Sequence, residues 1–115
     1  MKKTIHKYDL ALQDNQTIEM PTGSKALCID VQHGDPKLWV LCNPEMPKIS
    51  YEVLCVGTGQ EINKPIGQYL GTIHIFRSVP LVFHFFSSLA DAEQALVLIG
   101  DTHDRTIKNY GTDRV

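Results

Sequence analysis

The sequence shows no excess of charge of either sign. Eleven Lys and Arg residues stand against thirteen Asp and Glu residues, which gives a formal net charge of -2. Proteins that attract phosphate backbones or anionic lipids over long range carry a positive field, which this composition does not supply. The composition therefore predicts a protein that binds neither nucleic acid nor a membrane surface.

Long apolar runs are also missing. No stretch approaches the roughly 20 consecutive apolar residues that a membrane-spanning helix needs. Lys2 and Lys3 are followed by the mostly polar Thr4-Ile5-His6-Lys7-Tyr8-Asp9, where a secretion signal would have an apolar segment. We therefore expect a cytoplasmic protein that is neither inserted nor secreted.

Cysteine is scarce, and its spacing excludes two common roles. The three cysteines, Cys28, Cys42 and Cys55, include no closely spaced pair of the kind that binds zinc. An odd number of cysteines with apolar neighbours is typical of reduced, buried thiols in the cytosol rather than of a disulfide framework. The five histidines show no metal-ligand spacing either. We predict no metal and no cofactor.

What the sequence contains is enough for one domain. A chain of 115 residues with 43% apolar and 21% charged residues has the size and composition of an ordinary compact domain. No internal repeat or low-complexity linker divides it. We predict a single domain over residues 1–115, with a β core at 4–86 followed by a helix and a polar tail at 87–115.

Short segments separated by turn residues run from residue 4 to residue 86. Leu27, Ile29 and Val31 alternate with other residues at the period of a half-buried strand. The turn residues at 33–36 predict a hairpin over 25–42, and those at 77–80 predict a second over 69–86. The predicted strands are 4–10, 16–20, 27–32, 38–42, 49–55, 69–76 and 81–86. About seven short strands in this order indicate a mainly β protein, an antiparallel β-sandwich or barrel-like domain.

The last predicted strand is apolar on both faces. Phe83 and Phe85 lie on one face, and Val82, His84 and Phe86 lie on the other. Neither face is therefore expected to be fully solvated.

The pattern changes after this strand and predicts a helix over residues 88–99. Ser88 is a good N-cap, and Gly100 fits the position after a helix end. One helical stripe is formed by Leu89, Ala92, Leu96 and Ile99. This stripe is the predicted interaction surface: it packs on the β core, or it packs on a partner, a second copy of the chain included.

Several motifs occur in one order along the β core. They are Gln16-Thr17-Ile18-Glu19-Met20-Pro21-Thr22-Gly23, Val31-Gln32-His33-Gly34-Asp35-Pro36-Lys37-Leu38-Trp39, Val56-Gly57-Thr58-Gly59, Tyr69-Leu70-Gly71-Thr72 and Val82-Phe83-His84-Phe85-Phe86. In this order they resemble a small uncharacterised domain family of phage and bacterial genomes, over about residues 4–86. The resemblance implies a compact β domain in a phage or other mobile-DNA setting, and it implies no reaction. Residues 87–115 lie beyond it.

Two histidines and a glycine turn are candidates for a ligand site. His74 and His84 lie on the last two strands, which we expect to pair, so a shared face would let them flank a small pocket. Gly57 and Gly59 form a turn after a strand, where a phosphate could bind. The alternative is that each histidine is held by an ordinary hydrogen bond and that the glycines only permit a tight turn.

The stretch Val97-Leu98-Ile99-Gly100-Asp101-Thr102-His103-Asp104-Arg105 resembles the opening motif of the calcineurin-like metallophosphoesterases. That resemblance implies Asp101 and His103 as ligands of a first metal, with Asp104 or Asp113 at a second. The motif needs a preceding strand and further ligands from later strands, whereas helix caps precede it and no histidine follows it. A polar loop after a helix is the preferred interpretation.

These observations predict a protein without catalytic residues. The preferred hypothesis is a non-enzymatic interaction module of phage or mobile-element origin that binds a host or phage protein. The alternative is a β domain that binds or sequesters a small molecule, such as a nucleotide. A metal-dependent hydrolase built on Asp101 and His103 is the third hypothesis.

Overall fold

The structure is a computed structural model that describes residues 2–88 and, for the backbone alone, residues 97 and 98. Eight strands lie within these residues. They are β1 (Thr4–Asp9), β2 (Asn15–Pro21), β3 (Lys25–Gln32), β4 (Asp35–Cys42), β5 (Lys48–Gly57), β6 (Ile66–Arg77), β7 (Val79–Ser88) and β8 (Val97–Leu98). No helix long and apolar enough to cross a membrane is found among the described residues.

The strands form two four-stranded sheets. The first sheet has the order β1-β4-β3-β8 and the second has the order β2-β5-β7-β6. All pairs among β1 to β7 are antiparallel, whereas β8 pairs with β3 in parallel. The mainly β prediction and its seven antiparallel strands are confirmed. The sequence left a sandwich and a barrel-like domain as alternatives. The described strands form two separate sheets and not a closed barrel.

Both predicted hairpins are present. In the first, β3 and β4 are joined by His33 and Gly34, whose φ angles are 54° and 83°. Positive φ at both central residues gives the two strands the twist that a two-residue hairpin turn requires. Gly34 adopts this conformation without strain, and histidine is among the side chains that tolerate it.

The core lies between the inner faces of the two sheets. Met20, Leu38, Val40, Val53 and Phe85 are fully buried there. On β7, Phe85 is opposite Cys55 and Phe83 is opposite Gly57, so both phenylalanines face inward, while His84 is opposite Val56 and faces outward. The predicted division of β7 into two apolar faces is confirmed.

The two sheets approach each other most closely where β6 packs against β3. A Cβ atom on Gly71 would lie 3.1 Å from Cβ of Ile29, closer than ordinary side-chain contacts allow. Glycine at this position therefore allows β6, the edge strand of the second sheet, to pack closely against β3 of the first sheet.

The predicted burial of all three cysteines is wrong at Cys28, which is exposed. The register of β3 on β4 shifts between Ala26, which is opposite Val40, and Cys28, which is opposite Trp39. One additional residue in a strand turns all following side chains to the other face. Cys28 therefore lies on the outer face, although Ala26, two residues earlier, is buried.

The helix predicted over residues 88–99 disagrees with the structure at both ends. Ser88 is the last residue of β7, and Val97–Leu98 pair with Lys25 and Ala26 of β3 as a strand. The open side of β3 offers backbone donors and acceptors to an extended segment, and Val97–Leu98 pair there instead of forming a helix end. Four stripe residues, Leu89, Ala92, Leu96 and Ile99, lie outside the described residues.

The three thiols should differ sharply in reactivity. Burial and, to a lesser extent, Asp14 raise the pKa of Cys55 to about 11. About one thousandth of a thiol with that pKa is thiolate at pH 8, and only the thiolate reacts with disulfide reagents. Burial also raises the pKa of Cys42, and burial together with Asp30 raises that of Cys28, but Cys28 is exposed to a reagent and the other two thiols are buried. We expect Ellman's reagent to titrate one thiol per native chain quickly and the other two only after unfolding.

Cys28→Ser is the control for this titration, because it should remove the fast phase and leave the slow thiols unchanged. Two or three fast thiols in the native wild-type protein would contradict the burial of Cys42 and Cys55.

Candidate functional site

The hairpin of β6 and β7 projects beyond the rest of the second sheet. β5 ends at Gly57, which is opposite Phe83, so the part of β7 before Leu81 pairs with β6 alone. The hairpin reverses at Ser78, which has a φ of 65° and separates the paired residues Arg77 and Val79. We call residues 76–80 the hairpin tip.

The hairpin tip exposes apolar side chains to solvent. Phe76 is 69% exposed and Val79 is 54% exposed, and Pro80, which is opposite Phe76, is exposed as well. Single exposed apolar side chains are common on protein surfaces, but Phe76 and Pro80 are opposite each other on one face and form a small patch, while Val79 lies on the other face with Arg77. The tip is the one place in β6 and β7 with neighbouring apolar residues of this exposure.

A single arginine fixes the tip to the first sheet. Arg77 donates from Nη1 to the carbonyl oxygen of Gly34 at 2.9 Å and from Nη2 to Oδ1 of Asp35 at 3.1 Å. Both acceptors belong to the β3–β4 hairpin. An isolated two-stranded ribbon is only marginally stable in water, so this contact holds the apolar tip in one position.

The predicted ligand residues lie on the outer face of the same hairpin. Thr72 is opposite His84 and His74 is opposite Val82, so the two histidines share this face, as expected. His84 Nδ1 lies 2.9 Å from Thr72 Oγ1, and His84 Nε2 lies 2.7 Å from Thr58 Oγ1. Thr58 belongs to the Gly57–Gly59 turn. The structure thus brings His84 and this turn together, while His74 lies nearby and is exposed.

The network around His84 is saturated by the protein's own hydroxyl groups. Thr72 Oγ1 also lies 2.6 Å from the hydroxyl of Tyr69, so a chain of side chains runs from β6 through β7 to the turn. A hydroxyl can donate or accept, so it satisfies either tautomer of the ring. Both ring nitrogens of His84 are therefore engaged, and the side chain ties the turn to the sheet.

The glycine turn also holds itself together. Gly57 N donates to Oε1 of Gln60 at 2.8 Å, and Gln60 N donates to the carbonyl oxygen of Gly57 at 3.0 Å. Thr58 N donates to the carbonyl oxygen of Val82 at 3.2 Å. A phosphate-binding turn presents free backbone N–H groups, and these three already have acceptors. Gly59 has a φ of 88°, which explains the glycine by backbone conformation.

The described residues contain no group of three or more His, Cys, Asp or Glu side chains placed to hold a metal ion. Asp101 and His103, the residues of the metallophosphoesterase hypothesis, lie outside the described residues, as do Asp104 and Asp113.

A family model described as Domain of unknown function (DUF7352) matches residues 1–95. The chain belongs to this family. The family match covers β1 to β7 with both hairpins, and it extends further than the resemblance to an uncharacterised family over about residues 4–86. No curated protein matches the chain, and no solved structure does.

The hairpin tip was not predicted as a site from the sequence, although a signal is present. Turns between strands are usually built from polar residues and glycine. In Phe76-Arg77-Ser78-Val79-Pro80 the turn is flanked on both sides by apolar residues. An apolar flank at the end of a hairpin has no neighbouring strand to cover it, so it indicates exposed apolar surface.

Removing the anchor should loosen the tip and leave the rest of the fold intact. For Arg77→Ala we expect a loss of at most about 1 kcal/mol of stability, since both partners are exposed. Backbone ¹⁵N relaxation should show larger motion for residues 76–80 because the two hydrogen bonds to the β3–β4 hairpin are gone. Lys64→Ala, which removes the ion pair between the exposed Lys64 and the half-buried Glu52, is the control and should leave the tip unchanged. Unaltered relaxation at the tip of Arg77→Ala would show that the anchor does not order it.

Proposed function

We propose that the protein is a non-enzymatic interaction module whose contact surface is the hairpin tip. The observation that supports this most directly is the 69% exposure of Phe76 on a tip that Arg77 holds in place. Aromatic side chains dominate the binding energy of many protein interfaces, and complete burial of one contributes roughly 1.5–3 kcal/mol. A fixed tip also loses little conformational entropy on binding.

The shape and chemistry of the tip describe its partner. The tip projects beyond β5 and carries apolar side chains on both faces, Phe76 and Pro80 on one and Val79 on the other, so the partner needs an apolar cleft that receives the whole turn. Arg77, Asp35 and the exposed His74 lie around these side chains and supply a polar rim, the usual arrangement of a specific interface. The proposed partner is therefore a protein with an apolar cleft bordered by polar groups.

The proposal also includes the biological origin of the protein and the compartment in which it binds its partner. The order of the sequence motifs supports a phage or mobile-element origin, in which the partner is a host or phage protein. Cys28, Cys42 and Cys55 are all unpaired, and this supports a reducing compartment such as the cytoplasm.

The experiment compares affinities for one purified partner. The partner would be isolated from bacterial lysate with the wild-type protein and then titrated by calorimetry against Phe76→Ser/Val79→Ser. Loss of two buried apolar side chains is expected to cost about 3 kcal/mol, or roughly a hundredfold in Kd. The variant should retain its melting temperature to within a few degrees, because both side chains are exposed in the free protein.

Met46→Ser is the matched control for this titration. Met46 is also an exposed apolar residue, and it lies in the loop before β5, at the opposite end of that strand from Gly57 and the tip. Its substitution should leave Kd unchanged. Equal Kd values for the wild type and the tip variant would remove the proposal, and an equal effect of Met46→Ser would show that the binding is non-specific.

A second candidate function is small-molecule or nucleotide binding on the outer face beside Gly57, Gly59, His74 and His84. The contact between His84 and Thr58 favours it, because it places the turn and the histidine together. The engaged ring nitrogens of His84 weigh against it. If it is correct, nucleotides at millimolar concentration should raise the melting temperature of the wild type but not that of His74→Ala. A panel of nucleotides that leaves the wild-type melting temperature unchanged would contradict it.

A further inference from the structure

The two sides of the sandwich differ in how their sheet edges are covered. On one side β6 packs against β3 and β8, so these edges lie together. On the other side the first sheet ends at β1 and the second sheet ends at β2. Among the described residues, β1 has a strand partner on one side only, which is β4. An uncovered strand edge is a template for pairing with another strand.

The hydrogen bonds at the end of β1 show which residues point toward this open side. Leu10 N donates to the carbonyl oxygen of Pro36, which continues the ladder in which Asp9 is opposite Lys37. In an antiparallel ladder, bonded and non-bonded pairs alternate. The bonded residues facing β4 are therefore Leu10, Tyr8, His6 and Thr4. The backbone groups of Asp9, Lys7, Ile5 and Lys3 face away from it.

We propose that β1 pairs antiparallel with β1 of a second copy of the chain, around a twofold axis at His6. The pairing would join the two first sheets into one continuous sheet of eight strands, with β1 and β1 of the second copy at its centre. The contact is isologous, as expected for a symmetric dimer, because the same strand is used by both copies.

Charge and the length of the overlap together select this register. An axis at Tyr8 would also place unlike charges opposite each other, Lys7 and Asp9, but it pairs only residues 7–9 of β1, whereas an axis at His6 pairs residues 4–8. An axis at Lys7 places Lys7 opposite itself, and an axis at Ile5 places Lys3 opposite Lys7; both oppose like charges. An axis at His6 places Lys3 opposite Asp9 of the second copy and Ile5 opposite Lys7. Opposite charges directly across two strands stabilise the pair, whereas like charges destabilise it.

Most side chains of β1 are exposed in this register, although Lys7 Nζ donates to Gln32 Oε1 of β3 at 2.7 Å. Ile5 is 56% exposed on the outer face and would lie opposite Lys7 of the second copy. The Asp9 side chain is 84% exposed although Lys37 Nζ lies 2.6 Å from its Oδ1, so Oδ2 is open to Lys3. Thr4 and Tyr8 would lie opposite each other on the inner face.

The other open edge, β2, is less suited to pairing. Cys55 N donates to the carbonyl oxygen of Asp14, and Thr22 N donates to that of Pro47, which fixes the alternation along β2 in the same way. The residues that face outward there are Asn15, Thr17, Glu19 and Pro21. Proline has no N–H to donate, and no register of these four residues opposes unlike charges.

The test is the mass of the protein in solution and its response to proline on each edge. Sedimentation velocity of the full chain over 5–500 µM should show a concentration-dependent dimer. Ile5→Pro removes an N–H that points away from β4, so it should give a monomer at every concentration with unchanged circular dichroism. Thr17→Pro removes the equivalent N–H on the β2 edge and should leave the dimer intact.

A second variant guards against misfolding by proline. Lys3→Glu would place like charges opposite each other twice in the dimer, and it should raise the dimer dissociation constant about tenfold. The tip variant Phe76→Ser/Val79→Ser should dimerise normally, so the outcome is separate from that of the proposed function. A wild type that is monomeric at 500 µM, or a dimer that survives both Ile5→Pro and Lys3→Glu, would overturn the proposal.

Discussion

The alternation of side chains along β7 is the constraint on which the rest of the structure depends. β7 is hydrogen-bonded on both sides, to β5 and to β6, so a slip of one residue would turn each of its side chains to the opposite face. Phe85 and Ser87 are fully buried on the inner face, and Ser87 Oγ accepts a hydrogen bond from Gln68 N in the irregular part of β6. With this register fixed, His84 must face outward, where it meets Thr58 and Thr72. The register of β7 therefore decides which side chains of the second sheet enter the core and which face outward.

Gly71 carries the effect of this register to the first sheet. Gly71 lies on β6, opposite Phe85 of β7. Because it has no side chain, β6 can approach Ile29 of β3. The resulting contact closes one side of the sandwich and aligns the two hairpins, so that Arg77 at the end of β6 reaches Gly34 in the turn between β3 and β4. A larger residue at Gly71 would separate the hairpins, and the bonds of Arg77 depend on that separation. The position of the hairpin tip thus follows from packing in the middle of the sheet.

The sequence was informative wherever one strand face was buried and a turn was built from special residues. The two hairpins, at 25–42 and 69–86, were predicted because period-two alternation and turn chemistry agree there. The alternation at 27–32 places Cys28 on the same face as Asp30, so its exposure agrees with the strand pattern; the prediction of burial was wrong because it rested on the apolar neighbours of the cysteine. The additional residue at Leu27, which lets Ala26 be buried as well, leaves no mark in the local pattern. The extended backbone of Val97–Leu98 was missed for a related reason: a free edge on β3, which only tertiary structure creates, competes with the helical stripe.

In the candidate site, too, some features follow from the sequence pattern and others only from the tertiary structure. That His74 and His84 share a face follows from strand pairing, and so does the contact of His84 with the Gly57–Gly59 turn once β5 is placed beside β7. The exposure of Phe76 follows instead from the face it lies on: two residues after His74, it shares the outer face of the hairpin, beyond the part of β7 that pairs with β5. A phenylalanine within a sheet would be counted toward a core, whereas the same residue on a ribbon of two strands has no layer to cover it. Where strands of unequal length meet, apolar residues beyond the shorter strand mark surface that a sheet cannot bury by itself.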